Sequence, residues 1–393
     1  SRSVRPQPLL AVMAAAAFVG TLAGRKYQTE TGLRTNVYVI GLAGSGGGKD
    51  QARKEISNLA MAAGLDDLIG GDRIASGPAV VSALAKSPSR IFLIDEIGLM
   101  LQSMTGASGR VDSVKRDLMA TLMTMYSSAG GVYRGVEYAD QKTRPRQDIV
   151  NPNAVVYGTS THAAFYASLT SSQGVDGTLS RLIVVSGDEN RPARKRPTLG
   201  QPDAGLVAKI RALGNHSTST GNLAGIAGSG VDVVAQTVRM EREVFDAWEA
   251  LDDDMTDYMT TDAAQSVYSR VAENAAKLAL VYAVSIDYHH PVIDEEAFAW
   301  GREISLWAAN LLMREVANRA ADNDVEREIK QVMGSIRQAG ADGITRMHLL
   351  RAHRSIRARD LDDICSRLVS AGEAMIVSRK TAGRTATAYV AID

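Results

Sequence analysis

Four short apolar runs punctuate the first half of the chain: Val37-Tyr38-Val39-Ile40, Ile91-Phe92-Leu93-Ile94, Ala154-Val155-Val156-Tyr157 and Leu182 to Val185. They lack polar alternation and are rich in β-branched and aromatic residues, so each predicts a strand buried on both faces, as in a parallel sheet. Helical signals fall between them over Gln51 to Ala63, Pro78 to Lys86 and Val111 to Ser127, where Met119, Met123 and Met125 read as core. Ahead of all of these, Leu9 to Gly20 follows Arg2 and Arg5 and imitates a signal peptide. It is too short to span a bilayer and predicts a buried helix instead.

The second half changes character. Arg191 to Pro197 is a basic, proline-broken loop and Gly200 to Gly230 is rich in Gly, Ser and Thr, so both read as surface connections without a specific role. Helical signals resume near Thr237. Val267, Val271, Ala275, Leu278 and Tyr282 share one helix face while Arg270, Glu273 and Lys277 share another, which predicts an amphipathic helix with an ion-paired outer face; Arg270 is also within reach of a nucleotide reading. Phe298 to Ala317 adds another long helix. Three further helices, Val325 to Gln338, Thr345 to His353 and Ala358 to Ala371, precede strands Met375 to Arg379 and Thr385 to Ile392, which close on Thr381-Ala382-Gly383. Leu361, Ile364 and Leu368 point inward, and the whole describes a winged helix whose cations Arg351, Arg354, Arg357, Arg359, Arg379, Lys380 and Arg384 suit duplex DNA, although winged helices also serve as protein-contact modules. The expected division is an N-terminal helical segment 1–30, an ATPase core 31–190, a linker 191–236, a helical bundle 237–322 and a winged helix 323–393.

The chemistry begins at Gly41-Leu42-Ala43-Gly44-Ser45-Gly46-Gly47-Gly48-Lys49-Asp50, between a predicted strand and a predicted helix. Glycines there let consecutive backbone N–H groups turn onto an anion at a helix N-terminus, and Lys49 then reaches the terminal phosphates. Gly44, Ser45, Gly46, Gly47, Gly48, Lys49, Asp50 and Gln51 are accordingly the candidate ATP contacts. Ala43 stands where such loops usually have their first glycine, and Asp50 where Ser or Thr normally binds magnesium. The second run ends in Asp95-Glu96, which puts two carboxylates at the C-terminal edge of a parallel sheet, the edge where ligands bind. Asp95, with Asp50, is the candidate for holding Mg2+, and Glu96 for polarising the water that attacks the γ-phosphate.

Thr159, after the third run, is placed to sense the γ-phosphate or to cap the helix starting near His162. Arg181 follows the glycine-bearing stretch Gly174 to Gly177 and precedes the fourth strand, where it is either a salt-bridge partner or an arginine finger for a neighbouring subunit. Tyr133, Arg134, Lys142, Arg144 and Arg146 lie in an extended basic and aromatic stretch; they form either a lining for single-stranded DNA or a solvated hairpin.

Composition adds bounds. With 393 residues, 45% hydrophobic and 22% charged, the chain is ordinary for a soluble globular protein of two or three domains. Lys+Arg and Asp+Glu balance at 44 each, so nucleic-acid contact must come from local patches. The single cysteine, Cys365, rules out an internal disulfide and fits a reducing, cytoplasmic setting; no Cys/His cluster has zinc-site spacing. The chain starts without methionine, which leaves open an upstream domain.

Taken in order, Thr31 to Tyr38, Gly46-Gly47-Gly48-Lys49-Asp50, Ile94-Asp95-Glu96, Asn151-Pro152-Asn153-Ala154 through Gly158-Thr159, and Arg270 with Glu273 to Ala279 resemble the helicase-type ATPase modules of phages, prophages and plasmids, often fused to primase-polymerase domains. The resemblance spans roughly residues 8 to 320. It implies an α/β P-loop NTPase core with an AAA+/RecA-like parallel sheet, ATP and Mg2+ as ligands, DNA as partner and a homo-oligomer, a hexamer, with Lys49, Asp95, Glu96 and Arg181 at the nucleotide site. The expected activity is a replicative DNA helicase without membrane association. An ATP-switched initiator or helicase loader that binds DNA without processive unwinding is the alternative.

Overall fold

The computed structural model describes residues 3–105, 112–140, 142–143, 145–169, 177–188, 191–197, 200–217, 234–381 and 384–392. Its contacts divide the chain into two units, residues 1–316 and 317–393.

The first unit is built on helix α1 (Pro8–Ala23) and four strands, β1 (Tyr38–Leu42), β2 (Ser89–Ile94), β3 (Asn153–Ser160) and β4 (Leu182–Ser186). All are parallel, in the order β2-β3-β1-β4. Strands β1 and β3 are buried along their whole length, as their unalternated apolar runs require. The ladder pairs Gly41 with Thr159 and Ile94 with Gly158. Three strand tips therefore meet at one edge: the glycine loop after β1, Thr159 on β3, and Asp95-Glu96 after β2. Leu182 at the start of β4 pairs with Tyr38, so Arg181 lies at the opposite edge.

Helix α1 is a structural centre of this unit. Leu10, Met13, Ala17 and Phe18 are buried, Tyr157 donates its hydroxyl to Leu10 O at 3.2 Å, and Thr35 donates to Gly20 O at 2.8 Å. The predicted division at residue 30 is thus corrected: the helix packs into the same core as the sheet, its ten buried positions lying against the strands and against helices Asp50–Ala63, Ala204–Asn215 and Val271–Ile286. Among the described residues no helix is long and apolar enough to cross a membrane.

Three more expectations are corrected. Gln236–Met240 is a strand, not the start of a helix; its alternating Val238 and Met240 face inward, and it pairs in parallel with Tyr27–Thr29 and Val292–Ile293. Ala204–Asn215 is a helix within the stretch predicted as loop, capped by the Asp203 carboxylate accepting from Leu206 N–H at 2.8 Å; residues 218–233 lie outside the described set. Helix α3 (Val271–Ile286) is buried on nearly every side, including Lys277, so its charged stripe is an internal cluster and not a solvated face.

The second unit has its own core of Val332, Ile336, Leu349, Leu361, Ile364 and Leu368. Helices Arg346–Ala352 and Ala358–Ser370 pack with the end of helix Glu295–Gln338 and an antiparallel sheet ordered Ile344–Thr345, Arg384–Ala391, Ala374–Thr381. Arg351, Arg354, Arg357 and Arg359 are exposed. The side chains of Arg379, Lys380 and Arg384 and the turn at Ala382-Gly383 lie outside the described set.

Candidate nucleotide site

The loop after β1 turns back on itself where Gly47 N–H donates to Gly44 O at 2.9 Å, and helix α2 (Asp50–Ala63) starts directly behind it. Gly46 at φ +66° and Gly48 at φ +91° hold the left-handed conformations that this turn needs. Among the described residues, the N–H groups of Gly46, Gly48 and Lys49 meet no acceptor. Such donors at a helix N-terminus are an anion receptor, and Ser45 and Gly46 are exposed at its apex.

The loop is braced from outside. Gln7 donates its amide to Gly47 O at 3.0 Å and accepts from Asp188 N–H at 2.9 Å, tying the loop to the end of β4. Arg191 donates Nε to Gly46 O at 3.2 Å and Lys195 N–H donates to Val4 O at 2.8 Å, which corrects the reading of 191–197 as a connection without a role. The proline-broken sequence hides this, since only backbone and a single guanidinium make the contacts. A Cβ on Gly48 would come within 2.1 Å of Arg5 O. Gly48→Ala is therefore expected to lose nucleotide binding and to lower the melting temperature together, measurable by analogue titration and calorimetry; an alanine variant that binds normally contradicts the brace.

Lys49, with its side chain 8% exposed, reaches across to the Glu96 carboxylate. Asp95 accepts three donors: Thr159 Oγ1 at 3.2 Å, Glu96 N–H at 3.0 Å and Arg53 at 2.8 Å. Arg53 also reaches Asp50 at 3.3 Å. Five of the predicted residues, Lys49, Asp50, Asp95, Glu96 and Thr159, thus converge on one edge. Thr161, not Thr159, caps the following helix by accepting from Ala164 N–H at 3.3 Å. The Gln51 side chain turns away to Glu55 Oε1 at 2.8 Å, and only its backbone N–H meets the loop, donating to Gly48 O at 3.3 Å. Asp50 and Asp95 converge on a single cation, the Arg53 guanidinium, so this donor set suits a hard cation such as Mg2+. Sequence reading missed Arg53, although its position one turn into α2 after Lys49 was a usable signal.

Arg181 sits away from this edge. It donates to Gly177 O at 2.6 Å and to Ser127 Oγ at 3.3 Å, and its guanidinium carbon lies 5.8 Å from the centre of the Tyr126 ring. Arg270 lies 5.7 Å and the Lys277 ammonium 3.5 Å from the same ring. Tyr126 donates its hydroxyl to Asn274 Oδ1 at 2.7 Å, and Asn274 donates to Ser180 O at 3.0 Å, linking α3 to the turn that carries Arg181. Burial alone would raise the Glu273 carboxyl, but Lys277 at 3.0 Å and the paired Arg270 hold it below its ordinary value. Burial pushes Lys277 down to about 8 against the pull of Glu273. Burial and then Arg270 lower Arg181 in turn. Among the described residues Arg270 and Lys277 both pair with the Glu273 carboxylate, with Arg181 beside them. Residues 170–176 lie outside the described set.

The basic stretch is a short antiparallel hairpin, Val132–Tyr133 with Ile149–Val150. Tyr133 is 5% exposed, which corrects its assignment as a stacking platform: the ring belongs to the core. Arg134 pairs with Asp148 at 2.7 Å, and Arg146 pairs with Asp148 at 2.9 Å and with Glu137. The acids interleaved in the sequence thus neutralise the cations across the hairpin, the arrangement of the solvated alternative. Lys142 is exposed, and Arg144 lies outside the described set. An apolar cavity of about 610 Å³ opens beside Gly48, lined by α1, α2 and helix Ala204–Asn215, with Gln7, Gln51 and Ala52 at its wall.

No family model matches the chain, and no curated protein matches it. Among solved structures, the crystal structure of the FIGL-1 AAA domain matches at 12% identity over 72% of this chain and 78% of that chain. Its TM-score is 0.20, too low for the likeness to carry an argument about this chain.

Proposed function

We propose that the protein is an ATP-hydrolysing P-loop motor acting on DNA. The observation that carries the reading is the convergence, at the C-terminal edge of a parallel sheet, of unpartnered loop N–H groups with Lys49, Asp95, Glu96 and Thr159. In this reading the loop N–H groups and Lys49 bind the β- and γ-phosphates, and the cavity beside Gly48 receives the base. Glu96 takes the proton of the attacking water, and Thr159 fixes the Asp95 carboxylate for the metal. Asp50 and Asp95 fit Mg2+, which when bound neutralises charge on the phosphate oxygens.

The finer reading is a hexameric replicative helicase of a phage or other mobile element, with an AAA+/RecA-like core and a winged helix in the second unit. Its support is the placement of Arg181 at the edge away from its own loop, where a neighbouring copy would present its nucleotide. The initiator or loader reading is favoured by a different observation: Arg134 and Arg146 of the hairpin are ion-paired, while Arg351, Arg354, Arg357 and Arg359 are exposed on the second unit. Strand displacement on forked DNA with tails of each polarity separates the two. The motor reading expects ATP-dependent displacement with one polarity only. Binding of duplex DNA without displacement, at an ATPase rate that DNA leaves unchanged, supports the loader instead.

A further inference from the structure

Arg53 stands one turn into α2, on the face of the helix that carries Asp50, and one of its terminal nitrogens contacts both Asp95 at 2.8 Å and Asp50 at 3.3 Å. Its side chain is 17% exposed, and its Nε is buried without a partner among the described residues. A guanidinium that meets a carboxylate in its preferred way offers two parallel N–H groups to two oxygens. Here one nitrogen is shared between two different carboxylates, so the cation is held as a point charge between them. That position is where two carboxylates at the foot of a phosphate loop would share a divalent ion.

We infer that Arg53 is the resident counter-cation of the metal-binding acids, and that it must leave Asp95 before Asp50 and Asp95 can take a divalent metal. The inference rests on the ATPase reading of this edge. Beside it, Lys49 occupies Glu96. The resting site is thus held shut by two cations of α2 and its N-cap, each on one of the two acids of the β2 tip. A metal alone meets Asp95 already neutralised and competes poorly with a tethered cation. A metal arriving with nucleotide brings phosphate oxygens, and these provide new partners for Lys49 and for the displaced guanidinium. Binding of metal and of nucleotide becomes mutually dependent, by a residue that touches neither phosphate nor metal in the resting protein.

The test is Mn2+ binding to the full chain, followed by electron paramagnetic resonance, with Mn2+ alone and with Mn2+ plus a non-hydrolysable ATP analogue. Arg53→Gln removes the competing charge, and the affinity for Mn2+ alone should rise about tenfold or more, the low end of what one unit charge at contact distance is worth. The dependence of metal affinity on the analogue should shrink correspondingly. Unchanged or weaker binding of Mn2+ alone by Arg53→Gln overturns the inference, as does a variant that loses analogue affinity while its metal affinity stays put, which would make Arg53 a phosphate ligand. Should Arg53→Gln fail to fold by circular dichroism, Arg53→Lys keeps a cation with shorter reach and is expected to tighten Mn2+ by a smaller factor; wild-type affinity there is equally fatal. Wild-type protein that binds no analogue under any condition would remove the ATPase reading itself, an outcome distinct from normal analogue binding with Arg53 indifferent to metal.

Discussion

Lys49→Ala is expected to abolish ATP turnover with loss of nucleotide affinity, while Glu96→Gln should keep the nucleotide bound and lower hydrolysis by about two orders of magnitude or more, the usual worth of a positioned base. The two variants separate because the groups act on different partners, Lys49 on phosphate charge and Glu96 on the water. Their resting ion pair adds a further expectation. Lys49 has to abandon Glu96 to reach a phosphate, and a glutamine holds it less firmly. Glu96→Gln should therefore bind ATP more tightly than the wild type. Single-turnover hydrolysis and equilibrium titration on the same preparations decide the matter; a Glu96→Gln protein that hydrolyses at the wild-type rate removes Glu96 from the chemistry.

Arg181→Ala should bind ATP and assemble yet hardly turn over. Its register is the reason: Leu182 pairs with Tyr38 and Ser186 with Leu42, so five residue steps, about 17 Å at about 3.3 Å each, separate Arg181 from the glycine-loop end of its own sheet. A side chain cannot cover that distance and the loop beyond it. The proposed ring would have it serve a neighbour's γ-phosphate instead, and a finger supplied in trans is worth roughly three to five orders of magnitude in other NTPases. Mixing Arg181→Ala with Lys49→Ala subunits should restore activity, since some interfaces then join an intact loop to an intact arginine. Mixed assemblies that stay dead despite proven subunit exchange argue against trans action. Arg270 is the internal control: it is committed to Glu273, and replacing it should loosen the cluster around Tyr126 more than it slows chemistry.

Much of the core was readable because its signals are local. The four apolar runs become the four parallel strands, and glycine loop, Asp95, Glu96 and Thr159 sit at strand ends where a parallel sheet gathers its loops. What escaped depends on partners distant in sequence. Lys277 looks like a surface cation on a helical wheel, but Tyr126 and Glu273 receive it inside the protein. Gln236–Met240 has too few residues for its alternation to outweigh the helix that follows, and its pairing with Tyr27–Thr29 and Val292–Ile293 makes it a strand. Tyr133 and its neighbouring arginines read as a binding surface because composition shows the cations and not that Asp148 stands opposite two of them. The bracing of the glycine loop by Gln7, Arg5 and Arg191 joins segments 40 to 181 residues apart, which no window along the chain contains.

Glu96 adopts φ +48°, a left-handed conformation that a residue with a Cβ occupies at a penalty of roughly 1 kcal/mol or more. Glycine would adopt it freely. The most robust fold and the working catalyst therefore ask for different residues at this one position. A lineage selected only for thermal endurance, or a designer ranking substitutions by folding energy, would be drawn to glycine here and would arrive at a sturdier protein that binds its nucleotide and does nothing with it. Under the proposed function, the carboxylate in a turn that disfavours it serves the chemistry more than the architecture.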